Sequence, residues 1–206
     1  MSKDILVRYF SFPTRHGGYE WKSPYFGALI DARKATGRDI HSGEKIIAEG
    51  HGSWLGALGY MALVDHVGGI VRKKRIIDSS KNDFLEALGS FTNLNEKERK
   101  ILYALRCSFA HNYHLYNNRI KDKDKLHHFR VTSGLDGQSL IIHPKKQWSG
   151  RHGKRFKNDL NTTTVNIEIF GDLIEKMHQN IVDCVNNNQV FIKDKSLINT
   201  FIVYKT

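Results

Sequence analysis

The stretch from Asn95 to Phe109 constrains the fold most, because it carries both a helix start and a helix face. Asn95-Glu96-Lys97-Glu98 reads as an N-cap followed by an acidic residue at the third helical position. Ile101, Leu102, Leu105 and Phe109 then recur at helical spacing, which predicts an amphipathic helix running through Arg106 and His111 and fading near Asn117-Asn118. Such a helix must bury its apolar stripe against other elements, so the next step is to look for partners of the same kind.

Three further segments offer them. Tyr25 to Ala35 places Phe26, Leu29, Ile30 and Ala32 at helical spacing before a stop at Gly37; Asn82 to Phe91 does the same with Phe84, Leu85, Leu88 and Phe91; Asn166 to Val185 does so with Ile169, Leu173, Met177, Ile181 and Val185. Between the first two, Glu44 to Val71 is mostly apolar and glycine-rich, and reads as two helices joined near Gly50 to Gly52, with small residues that let helices approach closely. Its most apolar part, Trp54 to Val64, is too short to span a bilayer and runs straight into Asp65 and His66.

Extended structure is expected at the edges. Ile5 to Phe10, β-branched and aromatic and closed by Pro13, reads as a short strand or extended arm. Phe129-Arg130-Val131 and Leu140-Ile141-Ile142 flank Ser133 to Gly137 and read as a β-hairpin, within a charged insertion covering about residues 119–159. Val190 to Ile192 and Phe201 to Tyr204 have strand composition, pairing with each other or with the N-terminal arm. The expectation is one mainly α domain over 1–206: a helical bundle with a β-hairpin insertion and short extended terminal segments.

Charge narrows the partners. Thirty-two Lys and Arg against 21 Asp and Glu give a formal net charge of +11, which favours an anionic partner, nucleic acid first. Cys107 and Cys184 are the only two cysteines, in no CxxC pattern, so neither a disulfide framework nor a cysteine zinc site is expected. Arg8 interrupts the apolar start, which argues against a signal peptide, and the expected setting is a reducing cytoplasm without membrane attachment.

The chemistry-bearing segment is Leu105-Arg106-Cys107-Ser108-Phe109-Ala110-His111-Asn112-Tyr113. It resembles the HEPN superfamily, helical proteins whose ribonuclease members carry Arg, four to six residues, then His on a late helix of a small bundle. The resemblance implies an HEPN-like bundle, and an endoribonuclease that cleaves RNA by 2′-OH transesterification without a required metal or other cofactor and leaves a 2′,3′-cyclic phosphate. Those residue types suit that reaction. His111 titrates near enough to neutrality to take the 2′-OH proton, and the forked, permanently charged Arg106 can hold two oxygens of the phosphate as charge builds on them. Arg106 and His111 lie about 140° apart around a regular helix at 3.6 residues per turn, so a helix end or a second chain must help to bring them together. The resemblance points to the second chain, since such ribonucleases commonly form homodimers.

Tyr113 extends the pattern to Arg, four residues, His, one residue, Tyr. This longer form occurs in HEPN toxins paired with a nucleotidyltransferase antitoxin that adenylylates the tyrosine, which implies a toxin or anti-phage defence role and such an antitoxin as partner. Seven residues on from Arg106, Tyr113 falls above it on the helix. A tyrosine packing at a helix end is the plainer reading. Asn112 and His114 are auxiliary candidates. Cys107 departs from the polar residue that often follows the arginine in the family.

Two basic stretches could hold RNA, with transfer RNA one candidate. Arg72 to Arg75 is a compact charge run of the sort that is usually solvated. Lys145 to Lys157 interleaves charge with aromatics: Lys145, Lys146, Arg151, Lys154 and Arg155 would neutralise phosphates while Trp148 stacks on an unpaired base. His111 and His114 could share a metal, but no third ligand stands at a recognisable spacing, so none is expected. His127 and His128 read as surface residues on opposite faces of a strand. Two alternatives remain: a non-catalytic HEPN-like module that binds nucleotide or RNA, and an interaction protein in which Arg106 only caps or pairs.

Overall fold

The computed structural model describes residues 3–11, 13–16, 18–46, 54–74, 82–112, 114–117, 126–133, 139–151, 158–196, 198 and 202–205, without the side chains of 14–16, 111, 112 and 202–205. Six helices carry most of the described core: α1 (Lys3–Phe10), α2 (Pro24–Ala35), α3 (Trp54–Ile70), α4 (Asp83–Phe91), α5 (Glu96–Asn112) and α6 (Ile167–Asn186). No helix among the described residues is long and apolar enough to cross a membrane.

The helix starts are chemically explicit. Ser23 accepts the Phe26 N–H ahead of Pro24, Asn82 accepts the Leu85 N–H, and Asn166 accepts the N–H groups of Glu168 and Ile169. At α5, Asn95 Oδ1 accepts the Glu98 N–H at 3.0 Å and Glu98 Oε2 accepts the Asn95 N–H at 2.9 Å, the reciprocal box expected from the sequence. This helix ends at Asn112, earlier than expected, and the His114 N–H donates back to the Ser108 carbonyl at 3.3 Å.

The most apolar helix, α3, lies at the centre and packs on α2 and α4. It is one helix from Trp54; residues 44–46 are not helical, and the junction expected at 50–52 falls outside the described residues. Gly68 shows why small residues matter here. A Cβ at that position would sit 1.8 Å from the Asp83 carbonyl oxygen, so the start of α4 approaches α3 through the space a side chain would fill.

The N-terminal segment is a helix, not the expected strand or arm. Leu6, Tyr9 and Phe10 are buried on one side of α1, with Asp4 in its first turn and Arg8 in its last. The burial of that stripe against α6 and α2 overrides the β preference of Ile5 and Val7.

Among the described residues, three small sheets frame the bundle. β1 (Thr14–His16), β2 (Tyr19–Lys22) and β9 (Ile202–Lys205) form one antiparallel sheet, in order β1-β2-β9. β3 (Val71–Lys73) pairs antiparallel with β8 (Val190–Ile192), so Arg72 and Lys73 of the basic run lie in a strand, and the Arg72 guanidinium stands 4.9 Å from the Phe191 ring centroid. The tail therefore pairs at two separate places.

The third sheet corrects the hairpin. β4 (Tyr116–Asn117), β5 (His127–Thr132), β7 (Thr162–Asn166) and β6 (Ile141–Ile142) lie in that order, so β7 separates β5 from β6. It pairs parallel with β5, Phe129 opposite Thr163, and antiparallel with β6, Ile141 opposite Val165. The described part of the expected insertion is thus built into a sheet whose central strand runs directly into α6.

Candidate functional site

Arg106 lies on α5 and faces α3. Its Nε donates to Asp65 Oδ2 at 2.7 Å, with the two side chains 26% and 30% exposed. Contact through Nε leaves the two terminal nitrogens of the guanidinium out of that bond, and these form the edge a phosphate would engage. The electrostatics of the two partners pull apart. Burial drives the Asp65 carboxyl above its usual range, and Arg106 only partly offsets this. For Arg106 burial acts downward, but the bond and charge of Asp65 outweigh it, and the guanidinium is held more firmly charged. Asp65 thus bears the solvation cost of fixing the arginine.

Aromatic and thiol groups lie along the same two helices. Trp54, at the start of α3, stacks on Phe109 of α5 with ring centroids 4.4 Å apart and stays 42% exposed. Cys107 is buried, and Tyr103, whose hydroxyl is pushed upward by burial and by the Cys107 thiol, lies beside it. Next to Asp65, His66 Nε2 is 2.6 Å from the Tyr9 hydroxyl, and burial lowers its pKa; the same burial pushes Tyr9 up to about 12.

His111 and Asn112 occupy the last turn of α5, and their side chains, like all of Tyr113, fall outside the described residues. The structure therefore fixes the arginine of the motif and the backbone position of the histidine. His114 is exposed, with its ring 4.8 Å from that of Tyr116 on β4.

From there an aromatic chain leads to the basic segment. Tyr116 and Trp148 have centroids 6.3 Å apart, and His128 stands 6.1 Å from Trp148 on the same sheet. Trp148 is 1% exposed and its Nε1 donates to the Arg151 carbonyl at 3.1 Å. This corrects its expected role: a buried indole cannot stack on an incoming base, and it instead anchors the segment against the sheet. Lys145, Lys146 and Arg151 are exposed around that anchor, while Lys154 and Arg155 fall outside the described residues. His127 is likewise not a surface residue; it is buried, with Nδ1 2.9 Å from Thr163 Oγ1.

Asp65 is the residue that sequence reasoning missed. Its signal was a carboxylate beside a histidine at the end of an apolar helical run, where a charge needs a partner. Among the described residues no group of three or more His, Cys, Asp and Glu is placed to hold a metal ion. No family model, curated protein or solved structure matches the chain.

Proposed function

We propose that this chain is a metal-independent endoribonuclease of the HEPN type, acting as a homodimer in the cytoplasm in toxin-antitoxin or anti-phage defence. The observation that carries the reading is the Arg106 guanidinium: about a quarter exposed, fixed through Nε on Asp65, and set five residues before His111 on the same helix. In this mechanism His111 takes the proton from the ribose 2′-OH, the 2′ oxygen attacks phosphorus, and Arg106 holds the phosphate oxygens as charge grows on them. The bond to the 5′ oxygen breaks, leaving a 2′,3′-cyclic phosphate. A second copy of the motif across a twofold interface would complete the cleft, and Lys145, Lys146 and Arg151 would carry the RNA strand. Adenylylation of Tyr113 by a nucleotidyltransferase antitoxin would close the site.

One observation favours a second reading. Arg106 is already paired with a carboxylate, which is what a purely structural arginine would show. The test is to incubate wild type, Arg106→Ala and His111→Ala with transfer RNA and total RNA in EDTA and to examine the product ends. Cutting by wild type alone, with cyclic phosphate ends, supports the enzyme; equal cutting by all three removes it. A nucleotidyltransferase that co-purifies and adds AMP mass to Tyr113 supports the regulatory part, and an unmodified Tyr113 after exposure to it counts against that part.

A further inference from the structure

A second site lies at the other end of α5. The first turn of that helix, the buried His127 of β5 and the segment after β6 enclose a cleft of about 550 Å³, within the range of small-ligand pockets. Lys97, Lys100, His127, His143 and Gln147 line it, with Ile101 among the apolar lining. The backbone N–H groups of Asn95 and Glu98 are taken by the capping box, so the side chains give this cleft its character.

Their balance is cationic. Glu96 also lines the cleft, but it is bound to Lys100 at 2.7 Å, and that bond and the charge of Lys100 hold its carboxyl below the usual range. Lys97 has no ion-pair partner among the described residues. With Lys100 largely neutralised by Glu96, Lys97 leaves a net positive charge next to two imidazoles and the Gln147 amide. A single inorganic anion would fill only part of such a volume. The wall formed by His143 to Gln147 also contains Lys145 and Lys146, both exposed, so a charged chain leaving the cleft meets more cations at once.

We propose that this cleft binds a phosphate-bearing ligand of nucleotide size, either one nucleotide of an RNA strand or a free nucleotide. The lysine supplies charge to the phosphate, the exposed His143 imidazole supplies a directed hydrogen bond, and the apolar part of the lining accepts a base or sugar face. The site is separate from Arg106 and His111 and does not depend on cleavage there.

The test measures anisotropy of a labelled 2′-O-methyl oligouridylate, which cannot undergo 2′-OH transesterification, with AMP and inorganic phosphate as competitors. The proteins are wild type, Lys97→Ala, Lys97→Glu, His143→Ala and, as a control for the loss of one lysine elsewhere, Lys34→Ala, an exposed residue of α2. Lys97 and His143 are exposed, and unchanged circular dichroism checks that the variants fold. Lys97→Ala should weaken binding about threefold to tenfold and lower the salt slope by about 0.7, the single-strand value for one phosphate contact. Lys97→Glu should weaken it further, His143→Ala should reduce it severalfold, and Lys34→Ala should retain most of it. Competition by AMP at the same variants identifies a one-nucleotide subsite of an RNA strand. AMP binding that is lost in Lys97→Glu, without oligonucleotide binding, identifies a free nucleotide as the ligand. Binding of neither probe by wild type, or equal affinities and salt slopes in the Lys97 and His143 variants, overturns the proposal.

Discussion

Of the arginine–carboxylate pairs among the described residues, Arg33–Glu175 and Arg106–Asp65 each join two helices, and they are built in opposite ways. Arg33 of α2 is 3% exposed and spends its donors inside the fold: Nε and Nη2 go to Glu175 of α6, and Nη1 goes to the carbonyls of Ile40 and His41. Tyr60 of α3 donates to the same Glu175 at 2.8 Å. Among the described residues Arg106 makes one ion pair, through Nε, and keeps about a quarter of its side chain in solvent. A clamp whose donors are consumed holds elements together, whereas an arginine fixed by one edge is positioned and still able to bind.

The sharpest way to break that contrast is to remove Glu175. Its loss would leave Arg33 a buried cation short of its partner and strip Tyr60 of its acceptor. Glu175→Ala should therefore cost about 3–5 kcal/mol of stability, the range for breaking a buried pair, read as a lowered denaturant midpoint. A change under about 1 kcal/mol would place Arg33 in the surface-pair class and erase the difference between the two sites.

Arg106→Ala should do the reverse. RNA cleavage should fall about 10²–10³-fold, the effect of losing one transition-state charge stabiliser, with stability changed by no more than about 1 kcal/mol. Loss of stability with cleavage unchanged would make Arg106 a second clamp.

The buried network also predicts a pH response. His178 lies beside Tyr25, its Nδ1 3.0 Å from the hydroxyl, and burial, with the Arg33 charge second, lowers its pKa from 6.5 to about 4. Below pH 6.5 the unfolded chain binds a proton that the folded chain refuses. The stabilising contribution is therefore complete above about 6.5 and is lost as pH falls through about 4, with an upper bound of about 3 kcal/mol from the shift at 1.36 kcal/mol per unit. Denaturation at pH 7, 5 and 4 should show this slope in wild type and a flatter one in His178→Gln. Equal slopes would remove His178 as its source.

The difference between the two pairs also marks what could be read from the sequence. Helices α2, α4, α5 and α6 were legible because each repeats apolar residues at helical spacing, and α5 carries its capping box in plain letters. α1 was not, since Ile5 and Val7 suggest a strand until Leu6, Tyr9 and Phe10 are seen to share a buried side. β7 was hidden in Thr162-Thr163-Thr164, polar by letter but β-branched, and without it β5 and β6 looked like each other's partners. At the candidate site the motif named Arg106, but Asp65 lies 41 positions earlier and is joined only by helix packing. Trp148 was misjudged for a related reason: an aromatic among lysines looks exposed until the sheet it packs on is known.

Asp65 provides the smallest and most discriminating test. Its folded pKa is raised, so its ionised form costs stability at neutral pH; that unfavourable contribution is absent below the unfolded pKa and grows as pH rises toward the folded one. Asp65→Asn removes the charge but keeps an oxygen able to accept from Arg106 Nε, and its stability change should stay within about 1 kcal/mol in either direction. Asp65→Ala removes the acceptor and frees the guanidinium to swing. If Asp65 positions Arg106 for a phosphate, Asp65→Ala should lower kcat for RNA cleavage more than Asp65→Asn does, at similar KM. Equal activity in wild type and both variants would mean that the fixed orientation of Arg106 has no part in cleavage.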